Sequence, residues 1–466
     1  MKKILLFSLI FICIIHIGFG QDINGKWLGK LNVGMELQIV FNITSAEGLY
    51  SSTLDSPDQN AYGIPTASTT FVNNELAIQI PAIQGAFYGI YNAANNTIEG
   101  NWTQGSGSLP LVLNKVTSVE PIKRKQDPVK PYPYKEEEIT FENKNADSVF
   151  LSGTLTIPEG KGPFNAVVLV TGSGPQNRNE NLLGHSPFLV LSDYLTRNGI
   201  IVLRYDDRGI SKSTGDFGTA TSKDFADDAN AAVNYLKSRK DLNIKNIGIA
   251  GHSEGGLIAP LAASQNKNVD FAVLIAGTGI PGDSVLCLQG SLIEKASGYS
   301  EDALAFLNNW RRDIIHVVET ESDMDVIASK IIAINKKISS NASEDLIEEL
   351  QLNPDDSTAG VDFFASAWMK YFLTYDPRPI LEKTKIPVLA INGTLDLQVP
   401  YRENLDAIEN ALKIAGNKNY KIVALENLNH LFQTTATGSP SEYGMLEETF
   451  NENAMKVIAV WVLTIN

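Results

Sequence analysis

Ile247-Gly248-Ile249-Ala250-Gly251-His252-Ser253-Glu254-Gly255, running on into an apolar, helix-like stretch from Gly256 to Ala263, decides the fold. Four apolar residues read as a buried strand. Gly-x-Ser-x-Gly then forces a sharp turn, and a helix follows. A serine at the tip of such a turn has strained backbone angles. Side chains two residues either side of it would collide, and glycine at both positions relieves the collision. The turn lifts the Ser253 hydroxyl out of the sheet, beside the free N–H groups that open the helix.

A serine hydroxyl needs a base to take its proton and a third group to orient that base. After a strand–Ser–helix turn the expected chain order is nucleophile, acid, histidine. Asp396, in Gly393-Thr394-Leu395-Asp396, follows the apolar run Val388 to Asn392, 143 residues after Ser253. His430, in Glu426-Asn427-Leu428-Asn429-His430, follows the run Tyr420 to Leu425, 34 residues after Asp396. Each sits just past a strand, where open α/β sheets gather their ligands. His252 adjoins the serine and is expected to pack or shape the pocket. His185 lies in an early loop and His316 in an insertion. Asp206, Asp207 and Glu426 compete with Asp396 as the acid, but Asp206-Asp207-Arg208-Gly209 precedes the serine and reads as a turn that braces the elbow. Developing negative charge on a carbonyl oxygen needs preorganised donors. The backbone N–H of Glu254 is one candidate, and the N–H of Ser173, within Thr171-Gly172-Ser173-Gly174-Pro175, is the other. Pro260 interrupts the helix after the serine and predicts a kink.

Outward from this centre the texture alternates strand and helix from residue 139 to 466. Ala166-Val167-Val168-Leu169-Val170 is apolar throughout, as expected of a parallel strand covered on both faces. The runs starting at Ile200, Phe271, Ile386 and Tyr420 repeat it, and Phe225 to Leu236 and Ala454 to Leu463 have helical periodicity. The fold class is α/β, a doubly wound sheet. Residues 279–375 break the alternation and predict a helical cap. Residues 21–118 read as a separate all-β domain, a small barrel or sandwich of about eight short strands. Its aromatics (Trp27, Tyr62, Tyr88, Tyr91, Trp102) are expected to fill a core, with a ligand site as the alternative. Residues 119–138, with Pro121, Pro128, Pro131 and Pro133, read as a Pro/Lys-rich extended linker.

The chain has 466 residues with 43% hydrophobic and 20% charged residues, a globular composition long enough for two domains. Lys2 and Lys3, the apolar Ile4 to Ile15 and Gly18-Phe19-Gly20 read as a signal peptide over residues 1–20, hence an exported protein, periplasmic or secreted. Cleavage leaves Cys287 as a single thiol, so no internal disulfide is expected. It also leaves 36 Lys and Arg against 53 Asp and Glu, which argues against nucleic acid and anionic membrane as partners. No later segment is long and apolar enough to span a bilayer, and the oligomeric state stays open.

The set Thr171-Gly172-Ser173-Gly174-Pro175, Arg204-Tyr205-Asp206-Asp207-Arg208-Gly209, Gly251-His252-Ser253-Glu254-Gly255, Asp396 and His430 resembles the α/β-hydrolase superfamily over residues 139–466. Within it the chain is most similar to exported bacterial carboxylesterases and serine aminopeptidase-like hydrolases. Thr171-Gly172 stands where many members carry His-Gly. The resemblance implies a serine hydrolase acting on a small-molecule ester with a Ser253–His430–Asp396 triad, needing no metal or organic cofactor. A peptidase of the same fold, with a subsite from cap acids such as Glu319, Glu321 or Asp323, is the first alternative. A non-catalytic binding protein on this scaffold is the second.

Overall fold

The computed structural model describes residues 22–466 except 34–35, 47, 60, 105–106, 120–122 and 354–355. Residues 1–20, read as a signal peptide, lie outside the described residues. The chain forms two compact units, Met1–Pro57 with Ala61–Glu120, and Asp58–Asn60 with Pro121–Asn466.

The first unit is an antiparallel barrel. Its strands are Gly25–Asn32, Glu36–Ala46, Leu49–Ser56, Ala61–Pro65, Ser68–Val72, Glu75–Ile80, Gly85–Asn92, Thr97–Gln104 and Gly107–Val116. Eight of them close on themselves through the pairing of Glu36–Ala46 with Leu49–Ser56, while Ala61–Pro65 hangs on the outside of Leu49–Ser56. Closure removes the exposed strand edges. Asn73 and Asn74 both have positive φ (53° and 68°), the conformation a two-residue hairpin needs, and asparagine tolerates it. Inward positions alternate along each strand, and Trp27, Phe41, Phe87 and Trp102 fill the interior. Tyr91 packs edge-on against Trp27 at 6.0 Å, whereas Tyr62 and Tyr88 point outward. The aromatics are therefore divided between a packed core and the surface.

The second unit is built on an eight-stranded sheet in the order Lys135–Glu142, Phe150–Ile157, Ile201–Tyr205, Phe164–Val170, Ile244–His252, Phe271–Ile275, Val388–Gly393, Tyr420–Leu425. Phe150–Ile157 pairs antiparallel with both of its neighbours, and the remaining pairs are parallel. Ala166, Val168 and Val170 face the helices Ser222–Ser238, Glu254–Gln265 and Tyr401–Ile414, while Val167 and Leu169 face Pro187–Arg197 and Glu452–Leu463. Both faces being covered, the strand carries no polar residue after Asn165. The helix Glu254–Gln265 continues through Pro260, so the proline does not end it.

Between Phe271–Ile275 and Val388–Gly393, six helices fall within 279–375 among the described residues, from Gly282–Ala296 to Ala367–Thr374, and make up the inserted cap. They hold their own apolar cluster of Ile314, Val318, Ile327, Ile331, Phe364 and Leu373. The stretch 119–138, expected as an extended linker, departs from that expectation at two places. Lys135–Glu142 is already a strand of the sheet. Before it, Arg124 Nη2 donates to the Gly444 carbonyl at 2.7 Å, and Gln126 Nε2 donates to the Phe450 carbonyl at 2.7 Å. A guanidinium and an amide that meet orphan loop carbonyls turn a proline-rich spacer into a docked strap. Among the described residues no helix is long and apolar enough to cross a membrane.

Candidate active site

Four parallel strands deliver the site. Ile244–His252 ends at the elbow, where Ser253 adopts φ 53° and ψ −114°. Its N–H donates to the Ile275 carbonyl at 2.8 Å, which pins the turn to the neighbouring strand. The glycines are required by contact. A Cβ on Gly251 would lie 1.9 Å from the Gly255 carbonyl oxygen, and one on Gly255 would lie 2.2 Å from that of Val170.

Asp396 follows Val388–Gly393. Its Oδ1 accepts the N–H groups of Gln398 (2.8 Å) and Val399 (2.9 Å), and its Oδ2 meets His430 Nδ1 at 2.8 Å. Every partner of this buried carboxylate is therefore a donor. A carboxylate only accepts, so His430 Nδ1 is the donor of this pair, the orientation a general base acting through Nε2 requires. The loop holding His430 is rigid for local reasons. Asn429 Oδ1 accepts the N–H groups of Leu431 and Gln433, and Phe432, at φ 60°, stacks on Phe450 at 5.3 Å. Among the described residues no hydrogen bond joins Ser253 to His430.

Ser173, Gly174, Ser253 and Glu254 line one cavity of about 500 Å³. Its other walls are mostly apolar and come in large part from the cap, with Leu286, Phe363, Trp368, Met369 and Phe372 among them. Trp368 stacks on Phe372 at 5.5 Å, and its indole N–H donates to Glu254 Oε1 at 2.8 Å. Ser222 donates to the same oxygen at 2.6 Å. Burial pushes the Glu254 carboxyl above its usual range, and these two donors only partly oppose it.

The competing residues fall elsewhere. His316 is exposed on the cap, and Glu426 is exposed at the strand end. His185 is buried against Thr449 and the Tyr443 carbonyl. The Asp206-Asp207-Arg208 turn braces mainly the loop that carries Ser173. Asp207 accepts from Thr171 Oγ1 at 3.0 Å and from the Gln176 N–H at 2.9 Å, and Asp206 binds the Arg178 guanidinium and N–H. Arg208 pairs with Asp228 at 2.7 Å on the helix behind. Sequence reasoning missed Glu180, Trp368 and Ser222. The polar run Gln176-Asn177-Arg178-Asn179-Glu180, set directly after the glycine loop, was the available signal for the first of these.

A family profile described as serine aminopeptidase, S33 (Hydrolase_4), matches residues 186–433, more than half of the chain. That span contains Ser253, Asp396 and His430 and leaves the loop from Thr171 to Glu180 outside. Esterase EstD of Thermotoga maritima is 30% identical over 328 residues, 70% of this chain and 68% of that protein. An uncharacterized protein of Escherichia coli O157:H7, YfhR, is 27% identical over 167 residues, 34% of this chain and 55% of that protein. Among solved structures, an esterase of Pyrococcus furiosus aligns over 74% of this chain and 98% of its own, at 18% identity and a TM-score of 0.41. The chain belongs to the serine aminopeptidase S33 family of α/β-hydrolases.

Proposed function

We propose that this protein hydrolyses carboxylic esters through an acyl-enzyme on Ser253. Ser253 attacks the acyl carbon while His430 Nε2 takes its proton, and Asp396 holds the imidazole and stabilises its charged form. The N–H groups of Glu254 and Ser173 receive the oxyanion. His430 returns the proton to the leaving alcohol, and water cleaves the acyl-enzyme by the same route in reverse. The observation that carries this reading is the 2.8 Å pair of His430 with a donor-saturated Asp396, on loops at the same strand ends as Ser253.

The mostly apolar, aromatic wall of the cavity supports an uncharged acyl or alkoxy group. Glu319, Glu321 and Asp323 do not line the cavity, whereas the cap acid Asp362 does; Glu321 pairs with Lys330, and Asp323 caps the helix Met324–Asn341. The test is hydrolysis of p-nitrophenyl esters from acetate to laurate by the wild type and by Ser253→Ala, with labelling by a fluorophosphonate. Turnover that survives in Ser253→Ala refutes the mechanism. Cleavage of aminoacyl amides without cleavage of esters transfers the reading to a peptidase, and failure of both reactions and of the label leaves a binding scaffold. Export belongs to the same proposal, and a mature protein starting at Gln21 when expressed with its leader is the expected result.

A further inference from the structure

Glu180 and His252 have no place in the mechanism above, yet both are buried beside it. Glu180 Oε1 accepts the Gly172 N–H at 2.8 Å and faces His252 Nδ1 at 2.9 Å. The other ring nitrogen, Nε2, lies 3.0 Å from the carbonyl oxygen of His430. One carboxylate oxygen and one imidazole thus join three loops. Gly172 is the neighbour of Ser173, His252 is the neighbour of Ser253, and the third partner is the backbone of His430 itself. Resting on the triad reading, we propose that Glu180 and His252 are positioning residues of this reaction, a bridge that sets the oxyanion loop, the nucleophile and the base in register.

The protonation of the bridge follows from its partners. A backbone carbonyl only accepts, so Nε2 is the donor to His430. Paired with a Glu180 carboxylate, Nδ1 donates too and the ring is positive. Burial works against that charge, but the Glu180 carboxylate and the two hydrogen bonds outweigh it and hold His252 above the ordinary histidine range. The groups facing the ring are Glu180 from the loop after Pro175, the His430 ring at a centroid distance of 4.8 Å, Asp396 behind it, and the apolar Phe432.

The loops that the bridge ties carry groups whose misplacement by 1 Å costs about 10²-fold in rate. Glu180→Gln keeps an oxygen for the Gly172 N–H but removes the charge that holds the imidazolium. His252→Phe keeps a ring but removes both links. Each variant and the double variant are compared with wild type by thermal unfolding, fluorophosphonate labelling, and kcat and KM on p-nitrophenyl butyrate from pH 5 to 9. The expected result is a kcat about 10²-fold lower in each single variant, a KM within about threefold, and a double variant no worse than either single, because both substitutions cut the same bridge. A folded Glu180→Gln that keeps wild-type kcat overturns the proposal, even if His252→Phe fails to fold. Losses that multiply in the double variant overturn it as well. Failure of the triad reading looks different: wild type is not labelled at Ser253, or Ser253→Ala still turns over ester.

Discussion

Replacing Gly251 by alanine isolates what the elbow demands of the backbone. The new Cβ would sit 1.9 Å from the Gly255 oxygen and 2.0 Å from its carbonyl carbon, where real contacts stay above 3.0 Å. Both partners are main chain, so no rotamer change relieves the overlap, and the strand end and helix start must separate by about 1.1 Å. Overpacking costs about 1–3 kcal/mol, and a clash without a flexible partner belongs at the top of that range. At roughly 2 °C per kcal/mol for a domain of this size, Tm should fall by about 6 °C. The same displacement moves Ser253 away from its donors and base, and should cost about 10²-fold in kcat/KM on a p-nitrophenyl ester. Gly298→Ala is the matched control. Gly298 has φ +84° with nothing near its Cβ position, so alanine there meets only the left-handed backbone penalty of about 1 kcal/mol. Its activity should be unchanged. Wild-type Tm and kcat/KM in Gly251→Ala would refute the claim that contact, rather than chain flexibility, selects glycine at the elbow.

Asp396→Asn should lower kcat on the order of 10⁴-fold with little change in Tm, because an amide at this position can hold His430 in the wrong tautomer; a loss under tenfold in steady-state kinetics would contradict the assignment. Trp368→Phe removes a donor from buried Glu254 and should cost about 1.5–3 kcal/mol in urea unfolding at pH 8. The Glu254 carboxyl is already raised by burial, so its charged form destabilises the fold as pH rises above its unfolded value; losing the indole raises it further. The deficit of Trp368→Phe should therefore be smaller at pH 5 than at pH 8, and the opposite order would disprove the linkage. Burial, helped by the Arg124 charge, pushes His185 down to about 4. It contributes stability that is complete above the unfolded value of 6.5 and is lost as pH falls through about 4, a total of about 3 kcal/mol. His185→Gln should flatten urea midpoints between pH 7 and 4.5 relative to wild type, and an unchanged slope would contradict a neutral buried ring.

The parts of this fold that read directly from the chain are those with local causes. Ala166 to Val170 is apolar at every position because helices cover both faces of one strand, and that condition shows in five consecutive letters. The strands of the barrel read from alternation, and Asn73-Asn74 from its tolerance of positive φ. The proline-rich stretch was misread because its local signal is genuine and its fate is not local. Four prolines do forbid helix there. What holds residues 124 to 126 down is a set of carbonyls from Gly444 to Phe450, more than 300 positions away. Nothing in a spacer's own composition marks such a dock.

The site divides in the same way, and the division has a chemical cause. A nucleophile, an acid and a base must come from strand ends in workable order, so Ser253, Asp396 and His430 stand out one by one. A residue that positions others carries no such constraint. Glu180 needs only to place one oxygen between a glycine N–H and an imidazole, and any acidic residue in a polar loop looks equally able to do so. Adjacency to Ser253 suggests that His252 only packs or shapes the pocket, whereas both of its ring nitrogens have hydrogen-bond partners. The same inversion holds for Asp206 and Asp207. Both follow a strand, as a catalytic acid should, yet every oxygen contact they make fastens the loop that carries Ser173 or the turn beyond them. Under the proposed mechanism, the residues assigned the chemistry obey the geometry of the sheet, and those proposed to hold them obey the inventory of donors and acceptors. The second set becomes legible only when each buried polar atom is matched to its partner.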